Sequence, residues 1–580
     1  MYDEWGIADG YHDVGGEWHA TSQATIERLR AAIGKPSHED PMWFVPLGDS
    51  PSLMGPCTIE LETGDRLDEV VALPRELPAG YHWLHPVDGA SPTRLIVHPS
   101  SCREAPTTWG VSAQIYSMWR PDSWGIGDLR DVVALGNAVA TLGAGVLLLS
   151  PLHAPAATPH QQTSPYYPSS RRWLNPLLIA PTDERPPFVS NTSGGIIDRD
   201  AVWRAKRTWL EHRFRTDRGD PTWRSWARAE GHQLWSYATW NALADVHGSM
   251  WRSWPDDLRH PASTAVLDLP LVDREHAERC EFHAWCQWFV RGEVARAADA
   301  AGLGLIGDLA IGSSPDGADA WMHQDLVALD MRIGAPPDAF NTAGQDWGLP
   351  PFIPWRLRAA GYAPFIAMVR SAMQSMAGLR MDHVMGLFRQ YWVPEGSGPA
   401  DGGYVRLPAD ELLAIICIES HRSGAFVIGE DLGTVEDEVH AAMARTGMLG
   451  TKVWWFDTDV DGWPEASLAS VTTHDLPTVG GVYDGTDGSA EMRAALVTEA
   501  PPDASAHDAA AAVHAAITRS PARLRLAALD DLAGATERPN RPGTYGEGTL
   551  NWSVRMSATA EGIVGSTLGT AIVTSLTENH

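Results

Sequence analysis

From Val111 to Asp531 the chain keeps returning to one rhythm, a short apolar run followed by a helical pattern, and this repetition restricts the fold more than any other feature of its 580 residues. The runs are Ala113–Ser117, Gly145–Ser150, Leu303–Asp308, Leu379–Gly386, Ala425–Glu430, Lys452–Asp457, Leu468–Asp475 and Leu524–Asp531. Gly145–Ser150 has the unbroken apolar texture of a strand buried on both faces. Helical patterns at Leu129–Leu142, Pro364–Ala377, Asp410–Ser423, Val435–Thr446 and Ala506–Ser520 lie between several of the runs. Such alternation predicts parallel strands joined by right-handed crossovers, and eight of them predict a closed (β/α)8 TIM barrel in the α/β class. An open doubly wound sheet is the alternative, but the glycine-rich fingerprint expected after its first strand is absent.

Polar residues at the C-terminal ends of barrel strands are where chemistry is expected. Here three strand ends offer candidate catalytic carboxylates. Arg380, Asp382 and His383 follow one, Glu430 and Asp431 another, and His474 and Asp475 a third. Carboxylates on separate strands, beside an arginine and histidines, fit glycoside chemistry. One acid must be ionised to attack an anomeric carbon and another must hold a proton for the leaving oxygen, with about 5–5.5 Å between them in a retaining enzyme. Arg380 is expected to keep Asp382 ionised, and burial beside Phe426 and Ile428 to raise the Glu430 pKa. A metal-dependent barrel hydrolase using His153, Asp382, His383 and His474 is the competing chemistry. It lacks a histidine pair on the first strand and matches no metal-ligand spacing.

Residues 1–105 differ in texture from the rest. A helical pattern at Thr21–Ile33 precedes β-prone pieces at Trp43–Leu47, Cys57–Leu61, Gly80–Leu84 and Arg94–His98, punctuated by Pro and Gly. They predict a small β-rich accessory domain before a catalytic barrel at 106–580. That barrel carries an inserted subdomain at about 154–300, largely helical over Asp200–Gly292, where Trp203, Trp209, Trp223, Trp226, Trp235, Trp240, Trp251 and Trp254 are assigned to its core. The net charge of −29 argues against a nucleic-acid partner, since phosphate binding needs clustered Lys and Arg. Met1–Gly10 is acidic and polar where a signal peptide would be basic and then apolar, and no apolar run approaches a membrane span. The expectation is a soluble cytoplasmic chain without a membrane partner. Its five scattered cysteines predict buried thiols and neither a disulfide framework nor a zinc site.

Four segments then point to a family. Asp338–Pro350, Leu379–Arg389, Gly429–Thr434 and Thr473–Asp475 closely resemble the 4-α-glucanotransferases, also called amylomaltases or disproportionating enzymes. Ser123–Asp128, Ser164–Tyr166, Asn175–Leu177 and Asn540–Thr544 support the match, which runs in family order from about Thr108 to Trp552. The resemblance implies transfer of α-1,4-glucan segments between maltooligosaccharides, with no cofactor and no metal. It implies Asp382 as nucleophile, Glu430 as general acid/base and Asp475 as the transition-state stabiliser that grips sugar hydroxyls. It surrounds the same glucose with Arg380, His383 and His474, stacks Tyr166 and Trp347 on neighbouring glucose units, and gives Gln345 the acceptor side. Asp308 and Asn540 would line the groove. Three features depart from the broad family pattern: the N-terminal extension, Thr163 where many members have Asp, and the absence of a Pro after Asp308-Leu. An α-glucan hydrolase and a non-catalytic glucan-binding protein are the alternatives to a transferase.

Overall fold

The computed structural model describes the whole chain except residues 14, 38–40, 338–341, 434, 545–547 and 579–580. The opening of the Asp338–Pro350 segment and Thr434 therefore lie outside the described residues. Two compact units emerge: Met1–Glu104 with His323–Gln374 and His383–Leu449, and Ala105–Met322 with Ser375–Asp382 and Gly450–His580.

In the second unit, parallel strands are hydrogen-bonded in the order Gly378–Met381, Gly304–Leu309, Val146–Leu149, Thr108–Ala113, Leu524–Ala528, Ser467–Ser470, Gly450–Val453. Their residues are almost all buried, as expected of a parallel sheet covered on both faces. The eighth parallel strand, Phe426–Gly429, belongs to the first unit. There the Gly429 N–H donates to the Leu449 carbonyl at 2.8 Å and the Leu449 N–H to the Val427 carbonyl at 3.0 Å. The fold is a (β/α)8 barrel, as the alternation predicts.

The first strand lies earlier than the sequence suggests. It is Thr108–Ala113, and Ile115–Ser117 is a 3₁₀ turn. Gly110 sits inside the ladder, where a Cβ would lie 2.1 Å from the Val146 carbonyl oxygen. Other strands end sooner than expected. Gly378–Met381, Gly450–Val453 and Ser467–Ser470 stop before their polar tails, and Leu524–Ala528 passes into a short helix at Leu529–Leu532. Polar side chains at these positions leave the ladder, so strand pairing does not fix their direction.

Between Arg199 and Ala300 the chain is largely helical. Helices Arg199–Asp217, Pro221–Glu230, His232–His247, Thr264–Val272 and Arg274–Ala300 enclose a core in which Trp203, Trp223, Trp240, Trp251 and Trp254 are buried. Trp209 and Trp226 are half-buried, while Trp235 lies at the surface.

The first unit contains a five-stranded sheet ordered Met42–Pro46, Thr93–His98, Gly80–Pro86, Ser52–Glu60, Arg66–Ala72, with Ile59, Leu95 and Val97 in its core. The helix Gln23–Ile33 packs Leu29 and Ile33 against Met331, Trp392 and Val405. Those partners belong to a four-stranded antiparallel sheet the sequence did not announce, ordered Gln345–Leu349, Met331–Ala335, Arg389–Pro394, Gly403–Arg406. The segment Gln345–Pro350 is thus largely a strand. Its approach depends on Gly334, where a Cβ would lie 2.0 Å from the Gln345 carbonyl oxygen.

Candidate active site

Each unit carries one group of the residues singled out in the sequence. In the second unit the strands Gly304–Leu309 and Gly378–Met381 pair in register with Asp308 opposite Arg380. Arg380 Nη1 donates to Asp308 Oδ1 at 2.8 Å and Oδ2 at 2.9 Å, and to Asp382 Oδ1 at 3.2 Å. Asp308 and Arg380 are buried, whereas the Asp382 side chain keeps 21% of its surface exposed, so one carboxylate anchors the guanidinium and the other remains accessible. Charge-assisted bonds of this kind are about twice as strong as neutral ones. The Asp382 N–H is tied to the Leu309 carbonyl at 3.0 Å, which fixes its main chain. Burial raises the Asp308 pKa; Arg380 opposes the rise and the neighbouring Asp382 charge adds to it.

Tyr166 does more than offer a ring face. Its hydroxyl donates to Asp308 Oδ2 at 2.6 Å, and its ring stacks on His474 with centroids 4.7 Å apart and 23° between planes. Desolvation and the Asp308 charge push the phenol pKa well up, so it stays a donor. His474 Nε2 lies 3.4 Å from Asp475 Oδ2, and Asn540 Nδ2 donates to Asp475 Oδ1 at 2.6 Å. Desolvation pulls His474 down, but the charge of Asp475 and their hydrogen bond outweigh it and raise the pKa. For Asp475 desolvation acts upward and is outweighed by the His474 charge and hydrogen bond, then by the Asn540 bond, leaving a lowered pKa. The two groups favour their charged forms together.

The first unit holds Glu430, His383, Gln345 and Trp347. Glu430 follows the strand Phe426–Gly429, and its carboxylate accepts the His383 N–H on Oε2 at 2.9 Å and the Leu432 N–H on Oε1 at 2.9 Å. His383 has φ 48°, in the left-handed region, where a non-glycine residue costs about 1–3 kcal/mol and signals a constrained position. The Trp347 ring meets His383 edge-on at 5.2 Å, and Trp347 Nε1 donates to Gln345 Oε1 at 3.1 Å.

His153, proposed for the metal alternative, is buried and its Nε2 accepts the Ala310 N–H at 3.2 Å. Burial and then the Arg171 charge bring its pKa down to about 3. It acts as a main-chain brace one residue beyond the strand Gly304–Leu309. Among the described residues Asp13, Glu17 and His19 form a cluster compact enough for a metal, but Asp13 Oδ1 already takes the Gly15 and Glu17 N–H groups and Oδ2 the His19 ring.

Sequence reasoning missed Trp552, Tyr116 and Arg538. The buried Trp552 ring lies 5.5 Å from Tyr166, 5.3 Å from His474 and 6.1 Å from Tyr116. Arg538 Nη1 donates to the Asp475 carbonyl at 2.7 Å. The proximity of Arg538 to Asn540 was the one available signal, and Trp552 offered none because its φ of 58° is not readable from residue type.

Comparison with known proteins shows the family and the fold. Residues 113–560 match the family model described as 4-alpha-glucanotransferase. A 4-alpha-glucanotransferase of Mycobacterium tuberculosis is 34% identical, over 95% of this chain and 93% of the relative. The crystal structure of amylomaltase from Corynebacterium glutamicum superposes with TM-score 0.84 at 27% identity, covering 98% of both chains. Amylomaltase from Streptococcus agalactiae, solved in complex with acarbose, shares the fold at TM-score 0.71 and 20% identity, over 82% of this chain and 99% of that one.

Proposed function

This chain belongs to the 4-alpha-glucanotransferase family, and from that premise we propose that it moves α-1,4-glucan segments between maltooligosaccharides by a retaining double displacement. The observation that carries this reading is the Asp308–Arg380–Asp382 arrangement. It supplies one accessible carboxylate beside a cation that is already held by a second, buried carboxylate.

In the first step an Asp382 oxygen bonds to the anomeric carbon while the bond from that carbon to the leaving 4-oxygen breaks. Glu430 gives its proton to that oxygen. In the second step the acceptor's 4-hydroxyl passes its proton to Glu430, its oxygen bonds to the anomeric carbon, and the Asp382 ester breaks. Asp475, beside His474 and held by Asn540, accepts sugar hydroxyls and tightens on them as the oxocarbenium develops. Arg380 and His383 complete the surroundings of this glucose. Tyr166, Asp308 and Asn540 shape the groove, and Gln345 with Trp347 serve the acceptor.

Transfer exceeds hydrolysis when an acceptor sugar reaches the ester before water does. Trp347 on an ordered strand, with its N–H engaged by Gln345, supports the transfer reading. Incubation with maltotriose, without added metal or nucleotide, tests it: glucose together with chains longer than maltotriose is expected. Glucose and maltose alone would indicate a hydrolase, and no turnover a glucan-binding protein.

A further inference from the structure

Asp475 lies five residues beyond the strand Ser467–Ser470, where pairing no longer fixes the chain, yet it is held at several points by one distant segment. The Asn540 side chain takes its carboxylate at 2.6 Å, the Asn540 N–H donates to the His474 carbonyl at 3.0 Å, and Arg538 Nη1 donates to the Asp475 carbonyl at 2.7 Å. Arg538 is itself fixed. Its Nη2 donates to Asp487 Oδ1 at 2.8 Å, and its Nε lies 2.8 Å from Asp487 Oδ2 as an ion-pair contact, with the Asp487 side chain only 4% exposed. Arg541 adds a second cation 3.3 Å from the same carboxylate. The Asp487 N–H is bonded to the Gly481 carbonyl at 3.1 Å, and the Trp552 N–H to the Pro539 carbonyl at 2.8 Å, so both sides of the clamp are anchored in the main chain.

We propose that Arg538, oriented by Asp487, is a positioning residue for the transfer reaction: it sets the main chain of Asp475 so that the carboxylate meets the sugar hydroxyls at the angle the transition state requires. The proposal rests on the reading of Asp475 as transition-state stabiliser. A planar guanidinium engaging a carboxylate with one edge and a carbonyl with another transmits orientation in a way that a flexible ammonium does not. The contacts of Arg538 are with Asp487 and the Asp475 carbonyl, so its loss acts through the placement of Asp475.

Kinetics of Arg538→Met, Arg538→Lys and Asp487→Asn with maltotriose provide the test, combined with the double variant Arg538→Met/Asp475→Asn assayed with α-glucosyl fluoride. Misplacement on the ångström scale costs up to about 100-fold. Arg538→Met is therefore expected to lower kcat by about 10- to 100-fold with KM little changed. Arg538→Lys should recover part of that loss, and Asp487→Asn should act in the same direction. In the Asp475→Asn background Arg538→Met should add no further loss, because the group it places is gone. Losses that multiply in the double variant, or an Arg538→Met enzyme with parental kcat, would overturn the clamp. Asp475→Asn at the parental rate would instead refute the role of Asp475 itself. Should Arg538→Met fail to fold, Asp487→Asn carries the same comparison.

Discussion

Arg380 directs Nη1 at both oxygens of Asp308, at 2.8 and 2.9 Å, and the two residues face each other across adjacent parallel strands. The cation beside Asp382 is therefore built into the barrel wall. Its orientation is set by a ladder and a buried carboxylate before any sugar arrives, which is the preorganisation that electrostatic catalysis requires.

Removing that anchor is predicted to be costly. Asp308→Ala leaves a buried guanidinium with Asp382 as a weaker partner at 3.2 Å and takes away the acceptor of the Tyr166 hydroxyl. Breaking a buried pair costs about 3–5 kcal/mol, and the retained Asp382 contact puts this variant at the lower end, near about 3 kcal/mol. Asp308→Asn, which keeps an acceptor, should lose less. Denaturant midpoints at constant slope measure both; an Asp308→Ala protein within about 0.5 kcal/mol of the parent would contradict the anchor.

The His474–Asp475 pair predicts a pH dependence with a definite sign. His474 has a folded pKa above its ordinary 6.5, so its contribution is fully present below 6.5 and disappears as pH rises through the raised value. Asp475 has a folded pKa below its ordinary 3.8, so its contribution is present above 3.8 and disappears as pH falls through the lowered value. Between those limits the pair stabilises the fold, and as pH rises through the raised His474 value it fades. The stability difference between the parent and His474→Gln should accordingly shrink as pH rises above 6.5. A difference that is constant from pH 6 to 9 would show that His474 is not charged in the folded protein.

Trp347→Ala is predicted to impair transfer more than hydrolysis, because water needs no stacking platform. Aromatic contacts contribute roughly 0.5–1.5 kcal/mol beyond area burial, which translates to at most about a tenfold fall in the ratio of lengthened chains to hydrolysis products. Product analysis with maltotriose gives that ratio directly, and an unchanged value would remove Trp347 from the acceptor side.

The barrel was legible because its strands are continuous apolar runs that no other element explains, and the acids were legible because they interrupt those runs at their ends. Arg380 and Asp382 could be paired from sequence, being two residues apart at one strand end. The partnership of Arg380 with Asp308 could not, since strand register across 72 residues leaves no local trace. Tyr166 was assigned a stacking role from resemblance, whereas its hydroxyl bond to Asp308 and its ring contact with His474 depend on three separate barrel segments meeting. The strand Gln345–Leu349 was hidden for a different reason: Gln345, Asp346 and Gly348 carry no strand pattern, and the antiparallel partner that makes it a strand is Met331–Ala335. Trp552 and Arg538 act through a left-handed backbone and a main-chain carbonyl, neither of which residue type encodes.

The identity of the nucleophile is tested most directly by trapping the covalent intermediate. Glu430→Gln removes the group that protonates the leaving oxygen and later activates the acceptor, but α-glucosyl fluoride loses fluoride without such help. This variant should load with glucose and release it slowly, so that mass spectrometry of its peptides finds the sugar esterified to Asp382. The further substitution Asp382→Asn should abolish labelling. A label on Asp475, on Asp431, or on no carboxylate would contradict the assignment of Asp382 as the residue that attacks the anomeric carbon.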